Sequence, residues 1–299
     1  MRQPGEEWER SVSTNGGPGR SPPRVSFPLP PGPAPAPDPL PWAEVANPAL
    51  PSLSILLPAL NEEDGVADVL DRIQRLTLHR KGLAYSVHLL DGHSTDRTRA
   101  IAAQKGAQVF VQTGSGKGSA FREFVPQIKD KFAILMDSDG TYPPEVIPEL
   151  VGLLGPGTPI VLGSRLQGSM KDGAMSLANY VGNRLLSWFA SFLFGTRISD
   201  VCSGMWCFVS DRLKSLNLTA TGFELEADIF AECARLEIPI TEVPIEYGRR
   251  IGETKLRFSA GLRIALALLR KRLQMRAMPR YRSPDAADHG LSGAMQETQ

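Results

Sequence analysis

From Ser52 onward, short apolar runs alternate with segments of helical spacing. Ser52–Leu57 (SLSILL) reads as a short strand. Asp64–Leu76 places Val66, Val69, Leu70 and Ile73 on one face of a helix. Ala84–Leu90 predicts a second strand, and Thr95–Gly106 a helix capped by Ser94 and stopped by Gly106. Ala107–Val111 predicts a third strand, Gly118–Ile128 a helix and Lys131–Met136 a fourth strand. Pro144–Leu154 is again helical and Pro159–Leu162 gives a fifth strand. Strands alternating with helices at this spacing predict an α/β fold, with a mostly parallel sheet covered on both faces.

In such a sheet, ligands gather at the carboxyl ends of the strands. A polar cluster follows each predicted strand: Pro58 to Glu63, Asp91 to Asp96, Gly114 to Gly118, Asp137-Ser-Asp139, and Gly163-Ser164-Arg165. Asp137 and Asp139 stand two residues apart at a strand end, where two carboxylates can meet one hard cation. Oxygen ligands suit Mg²⁺ or Mn²⁺, ions that usually bring a phosphate with them. Alone, Asp-x-Asp describes a solvated turn equally well. The run Gly114-Ser-Gly-Lys117-Gly118 lacks the GxxxxGK[ST] spacing, which excludes a Walker A loop. A glycine-rich turn carrying one lysine can still approach a diphosphate. Asp91 ends a strand, where a carboxylate can accept from a pyrimidine imide or a guanine edge, or join a capping network.

Composition narrows the classes. The net charge of +1 excludes a nucleic-acid binder driven by overall charge, although basic residues crowd the C-terminal third. Cys202, Cys207 and Cys233 are odd in number and fit neither a zinc ribbon nor CxxC redox chemistry, so they read as reduced thiols of a cytosolic protein. Thirteen of the 25 prolines fall in residues 1–50, which predicts a disordered or polyproline tail with no apolar signal segment. Leu185–Gly195 (LLSWFASFLFG) is too short to cross a bilayer as a straight helix. Residues 257–278 predict a basic amphipathic helix, with Phe258, Leu262, Ala265, Leu266, Leu269 and Leu273 as its apolar stripe. Arg257, Arg263, Arg270, Lys271, Arg272 and Arg276 decorate that helix, while Trp188, Phe189, Phe192 and Phe194 form a second apolar patch. The layout is then a tail at 1–50, a domain at 51–256, the basic helix, and a tail at 279–299.

The order PALNEE, DGHSTD, GKG, DSDGTYPPE, GSR resembles family 2 glycosyltransferases of the nucleotide-sugar-binding GT-A fold. GNRLLSWFASFLFGTRISDVCSGMWCF, GFELEADI and VPIEYGRRIGETKL resemble the branch of dolichol-phosphate mannosyltransferases and polyprenyl-phosphate hexosyltransferases. The resemblance covers roughly residues 52–276. It implies that Pro58, Asn61, Glu62 and Asp91 hold the nucleoside, and that Lys117 lies near the donor. Asp137 and Asp139 would bind Mg²⁺ or Mn²⁺ and, through it, the diphosphate. Arg165, with Asn183 and Arg184, would face the acceptor phosphate, and Arg250 and Lys255 would close over the donor. Glu224 holds the position of a structural or donor-site carboxylate. Asp139, Arg165 and Asp200 are the catalytic candidates, with Asp200 as base if the acceptor is an alcohol. Gly92 and Thr141 depart from the family pattern, at positions that commonly carry a second aspartate and a polar ligand. The implied reaction is inverting transfer of a hexose from a UDP- or GDP-sugar to polyprenyl or dolichyl phosphate, by a protein peripheral on the cytosolic membrane face. The alternatives are a soluble family 2 enzyme with a small phosphorylated acceptor and a non-catalytic nucleotide-sugar-binding protein. A nucleotidyltransferase would open its first loop with glycine and arginine, and here that loop is PALNEE.

Overall fold

The computed structural model describes residues 51–78, 82–252 and 259–277. The two expected tails and the boundary at 256 lie outside the described residues, as do Lys255, Arg257 and Phe258. In chain order the elements are β1 (Ser52–Ala59), α1 (Glu63–Arg75), β2 (Ala84–Asp91), α2 (Thr98–Gln104), β3 (Gln108–Val111), α3 (Lys117–Phe124) and β4 (Phe132–Met136). They continue with α4 (Ile147–Gly152), β5 (Ile160–Ser164), α5 (Leu177–Phe194), β6 (Met205–Val209), α6 (Ser210–Ser215), α7 (Leu225–Arg235), β7 (Ile240–Pro244) and α8 (Ser259–Ala277).

The seven strands form one sheet in the order β3-β2-β1-β4-β6-β5-β7. The five expected strands are present. The sequence reading missed β6 and β7, and β6 breaks the parallel run. It lies antiparallel between β4 and β5, with Trp206 opposite both Leu135 and Leu162. Its MWCFV run is nearly all buried, as a central strand requires. Because β6 runs backwards, its start lies beside the end of β4, with Met205 opposite Met136. That reversal brings Gly204 to the edge where Asp137 emerges.

Alternate side chains feed two cores. Leu53, Ile55 and Leu57 of β1 join Ile134 and Met136 of β4 under α1, α2 and α4. Leu56 and Leu135 face the other way, with Phe121, Trp206, Phe208 and Phe230. Helix ends move where local chemistry dictates. The helix expected from Thr95 begins at Thr98, because Asp96 accepts the Thr98 amide at 2.9 Å while the Ser94 hydroxyl is taken by the Asn61 amide. Pro126 lacks an N–H, and α3 gives way to a 3-10 turn over Val125–Gln127.

Helix α8 packs against α5 and α7 through a second face and leaves the leucines of the expected stripe outside. Ala260, Ile264, Leu268 and Lys271 are buried, whereas Leu262, Leu266, Leu269 and Leu273 point outward. Lys271 is therefore not a surface charge. Its ammonium sits 2.7 Å from Asp228 and 3.0 Å from Glu232, and donates to the Asn217 carbonyl at 2.9 Å. This ion cluster sets the rotation of α8. On α5, Phe189 and Phe194 pack on the core, and Trp188 and Phe192 stack on each other outside it.

Candidate active site

Strand β4 is buried throughout, and Asp137, Ser138 and Asp139 leave it at the sheet edge. The Ser138 hydroxyl donates to the Pro58 carbonyl at 2.7 Å, which ties this loop to the end of β1. Asp139 accepts from both the amide (3.1 Å) and the hydroxyl (2.5 Å) of Thr141. Thr141 thus orients an aspartate; its hydroxyl proton is already given to Asp139. Asp137 packs on Gly204, where an added Cβ would lie 2.2 Å from the Asp137 Oδ2.

Charges alternate across the site. Lys117, at the start of α3, donates to Asp137 Oδ1 at 2.5 Å and also to Glu226. Arg250 donates to Asp139 Oδ2 at 2.5 Å and also to Glu62. Burial raises the pKa of Asp139, and the neighbouring Asp137 charge adds to it. Burial likewise raises Glu226, partly offset by Lys117. Burial opposes the charge on Lys117, but Asp137 and Glu226 together outweigh it and hold the ammonium protonated well above the usual range.

This arrangement fits a divalent cation. The buried Asp139 carboxylate and the half-buried Asp137 beside it repel each other, all donors are oxygen, and a hard cation would relieve the repulsion. Among the described residues no cluster of three or more His, Cys, Asp or Glu side chains could hold a metal. Asp137 and Asp139 are the side chains that could hold such an ion, and Mg²⁺ usually keeps several waters and phosphate oxygens besides one or two carboxylates.

The loops after β1 and β2 interlock beside this centre. Asn61, held at φ +50°, accepts the Thr95 amide at 2.7 Å, and the Glu62 amide donates to the Thr98 hydroxyl at 2.8 Å. Asp91 is fully buried and accepts the His93 amide at 3.0 Å and the Ser94 amide at 3.1 Å. Its carboxylate shapes the loop.

At the end of β5, Arg165 and Asp200 form a buried bidentate pair, with Nε at 2.8 Å and Nη2 at 2.7 Å from the carboxylate. The Arg165 amide adds a third bond at 3.0 Å. Asp200 has no exposed surface, and a carboxylate so committed to arginine is unsuited to act as a base. In this structure it holds the Arg165 guanidinium in place. The guanidinium also lies 5.2 Å from the Tyr247 ring centre.

The remaining expected residues are scattered. Arg184 is exposed on α5, over the Tyr180 ring, and makes no ion pair among the described residues. Asn183 is half-buried one turn before Ser187, whose hydroxyl accepts the Val201 amide next to Asp200. Glu224 caps the amides of Thr221 and Gly222 at the start of α7. The carboxylate that enters the site is Glu226, two residues later. ELEAD offers three carboxylates in five positions, and only the tertiary pairing with Lys117 selects one.

The comparisons with known proteins agree with this geometry. Residues 54–213 match glycosyl transferase family 2. The chain belongs to that family. It is 36% identical over 201 residues to glycosyltransferase AglJ of Haloferax volcanii, covering 67% of this chain and 64% of that one. It is 33% identical over 226 residues to the dolichyl-phosphate hexose transferase of the same organism, covering 75% of this chain and 95% of the relative. It thus spans less than two thirds of AglJ. Among solved structures, a glucosyl-3-phosphoglycerate synthase of Mycobacterium tuberculosis, in complex with Mn²⁺, UDP and glucosyl-3-phosphoglycerate, superposes with a TM-score of 0.57 at 25% identity. That match covers 77% of this chain and 81% of the synthase. The fold is the expected GT-A arrangement.

Proposed function

We propose that this protein moves a hexose from a nucleoside-diphosphate sugar to the phosphate of a polyprenyl or dolichyl lipid, inverting the anomeric carbon. Family membership supports glycosyl transfer, and the similarity to a dolichyl-phosphate hexose transferase supports the acceptor class. The observation that carries the lipid acceptor is the outer face of α5 and α8. Leu177, Val181, Leu185, Trp188 and Phe192 recur every three or four residues along α5, and Leu262, Leu266, Leu269 and Leu273 do so along α8. These nine side chains are 40–77% exposed, on two helices that touch each other. An apolar patch of that extent is uncommon on a freely soluble surface. Exposed Arg184, Arg263 and Arg270 accompany it, a composition suited to an anionic membrane interface. No described helix is long and apolar enough to cross a membrane, and we assign peripheral attachment at the cytosolic face.

In this reading Asp137 and Asp139 hold Mg²⁺ or Mn²⁺, which neutralises charge on the departing diphosphate when bound. Lys117 and Arg250 exchange carboxylate partners for diphosphate oxygens. Pro58, Asn61, Glu62 and Asp91 shape the nucleoside end, and Lys255 belongs to the segment after Arg250. Arg165, held by Asp200, orients the acceptor phosphate with Asn183 and Arg184 from α5. A phosphate oxygen forms the new bond to the anomeric carbon as the bond to the diphosphate breaks on the opposite face. The acceptor is already an anion, so positioning replaces general base catalysis.

The test is a transfer assay with Mg²⁺ or Mn²⁺, short polyprenyl phosphate, and labelled UDP-glucose, UDP-N-acetylglucosamine or GDP-mannose. Metal-dependent label in the organic phase supports the proposal. Label transferred only to 3-phosphoglycerate would favour a small acceptor instead, a reading drawn from the phosphoglycerate synthase neighbour.

A further inference from the structure

Gln112 follows β3 at the same sheet edge as the nucleoside loops, and its amide N–H donates to the Asp91 carbonyl at 3.1 Å. The residue is 3% exposed, and its side-chain oxygen has no hydrogen-bond partner. Buried polar atoms are nearly always paired, so an orphan acceptor calls for an explanation. The other such atom among the described residues, Ser210 Oγ, lies at the junction of β6 and α6, on the opposite edge of the sheet.

The surroundings of Gln112 are built. Glu123 accepts the amides of Thr113 at 2.6 Å and Gly114 at 3.0 Å, which fixes the chain after Gln112. The His93 ring nitrogen lies 3.0 Å from the Gly114 carbonyl and joins this loop to the one after β2. A Cβ on Gly92 would stand 3.3 Å from Gln112 Nε2, 3.3 Å from the Ala59 carbonyl and 3.4 Å from Leu60. Gly92 therefore lets the three loops close around the glutamine. The departure from the family pattern at position 92 and the orphaned amide meet at one place.

We infer that Gln112 selects uracil, accepting its imide N3–H and donating to the adjacent carbonyl; this rests on the donor-sugar reading above. A primary amide supplies the acceptor and donor that such an edge requires. Adenine and cytosine lack an N–H beside a carbonyl. Guanine has that pair but adds an exocyclic amine that needs a further acceptor. The neighbouring carboxylate, Asp91, is fully buried and holds the His93 and Ser94 amides. The structure thus favours a uridine diphosphate donor, with base choice set by Gln112.

The experiment is calorimetric titration of the full chain, with Mn²⁺, against UDP, N3-methyl-UDP, GDP and CDP. The wild type is expected to bind UDP tightest and to lose about tenfold on N3-methylation, the scale of one buried hydrogen bond. Gln112→Leu should weaken UDP by a similar factor but leave N3-methyl-UDP nearly unchanged, so that the ratio collapses toward one. A residue that merely supports the loop would weaken both ligands equally. Gln112→Met, closer in length, serves the same purpose if the leucine variant does not fold. Tightest binding of GDP, or equal binding of UDP and its N3-methyl form by the wild type, overturns the inference. An unchanged UDP ratio in the variants does the same while leaving the donor-sugar reading standing. No binding of any nucleoside diphosphate removes that reading, and this inference with it.

Discussion

Alanine at position 204 is expected to disable the site while sparing the fold. Its Cβ would lie 2.2 Å from Oδ2 and 2.6 Å from Cγ of Asp137. Neither distance is tolerable, so one group must move. Gly204 is held in place by its N–H bond to the Tyr142 hydroxyl at 2.5 Å and by the adjoining buried strand β6. Moving that backbone would resemble overpacking a core, at about 1–3 kcal/mol. Rotating the Asp137 carboxylate is easier. It costs the 2.5 Å bond to Lys117, which retains Glu226 as its other partner. The rotated carboxylate no longer shares a cation with Asp139. A displacement of about 1 Å in a positioning group can lower turnover by about a hundredfold. Thermal unfolding and the transfer assay, run on the same preparation, separate the two routes. The expected result is a melting temperature within a few degrees of wild type, with nucleotide-dependent Mn²⁺ binding and transfer largely lost. Full transfer by Gly204→Ala would refute the claim that Asp137 acts from its observed position.

Asp200→Ala leaves the Arg165 guanidinium buried without its carboxylate. Breaking a buried pair this way costs about 3–5 kcal/mol, readable as a lower denaturation midpoint; an unchanged midpoint would deny the pair its structural weight. Burial lowers the pKa of His88, with Asp130 opposing more weakly. A depressed folded pKa means the unfolded chain binds the proton first. Stability is then present above the unfolded value of about 6.5 and declines as pH falls from there toward the folded pKa. His88→Gln should flatten that decline in melting curves from pH 7.5 to 5.5, and an equal slope would exclude His88 as the cause. Trp188→Glu combined with Phe192→Glu should abolish flotation with vesicles containing phosphatidylserine while leaving UDP binding unchanged. Undiminished flotation would place membrane contact elsewhere on the molecule.

Much of the first half of the fold was legible because its signals are local. Val66, Val69, Leu70 and Ile73 repeat at helical spacing, and all are buried in α1. The FAILM run is a central strand, and the polar clusters after β1, β2, β3 and β4 share one edge, as parallel topology requires. The apolar run MWCFV was equally visible, but nothing local announced that it would run antiparallel between β4 and β5. The stripe of α8 was legible as apolar, and the structure leaves Leu262, Leu266, Leu269 and Leu273 exposed; the second, inward face was not foreseen. The helix turns Ile264 and Leu268 inward because Lys271 is drawn to Asp228 and Glu232, residues more than 35 positions away.

Composition and periodicity by themselves determined the α/β class, the strand ends that carry chemistry, and the aspartate pair. Those properties depend on neighbours within one turn or one strand. Tertiary structure alone decided that Glu226 rather than Glu224 meets Lys117, that Asp200 is locked onto Arg165, that Gly204 backs Asp137, and that Gln112 is left with an unpaired oxygen. Each of these joins segments tens of residues apart or depends on burial. Such a contact leaves no trace in local sequence, because it exists only once the sheet has brought its strand ends together.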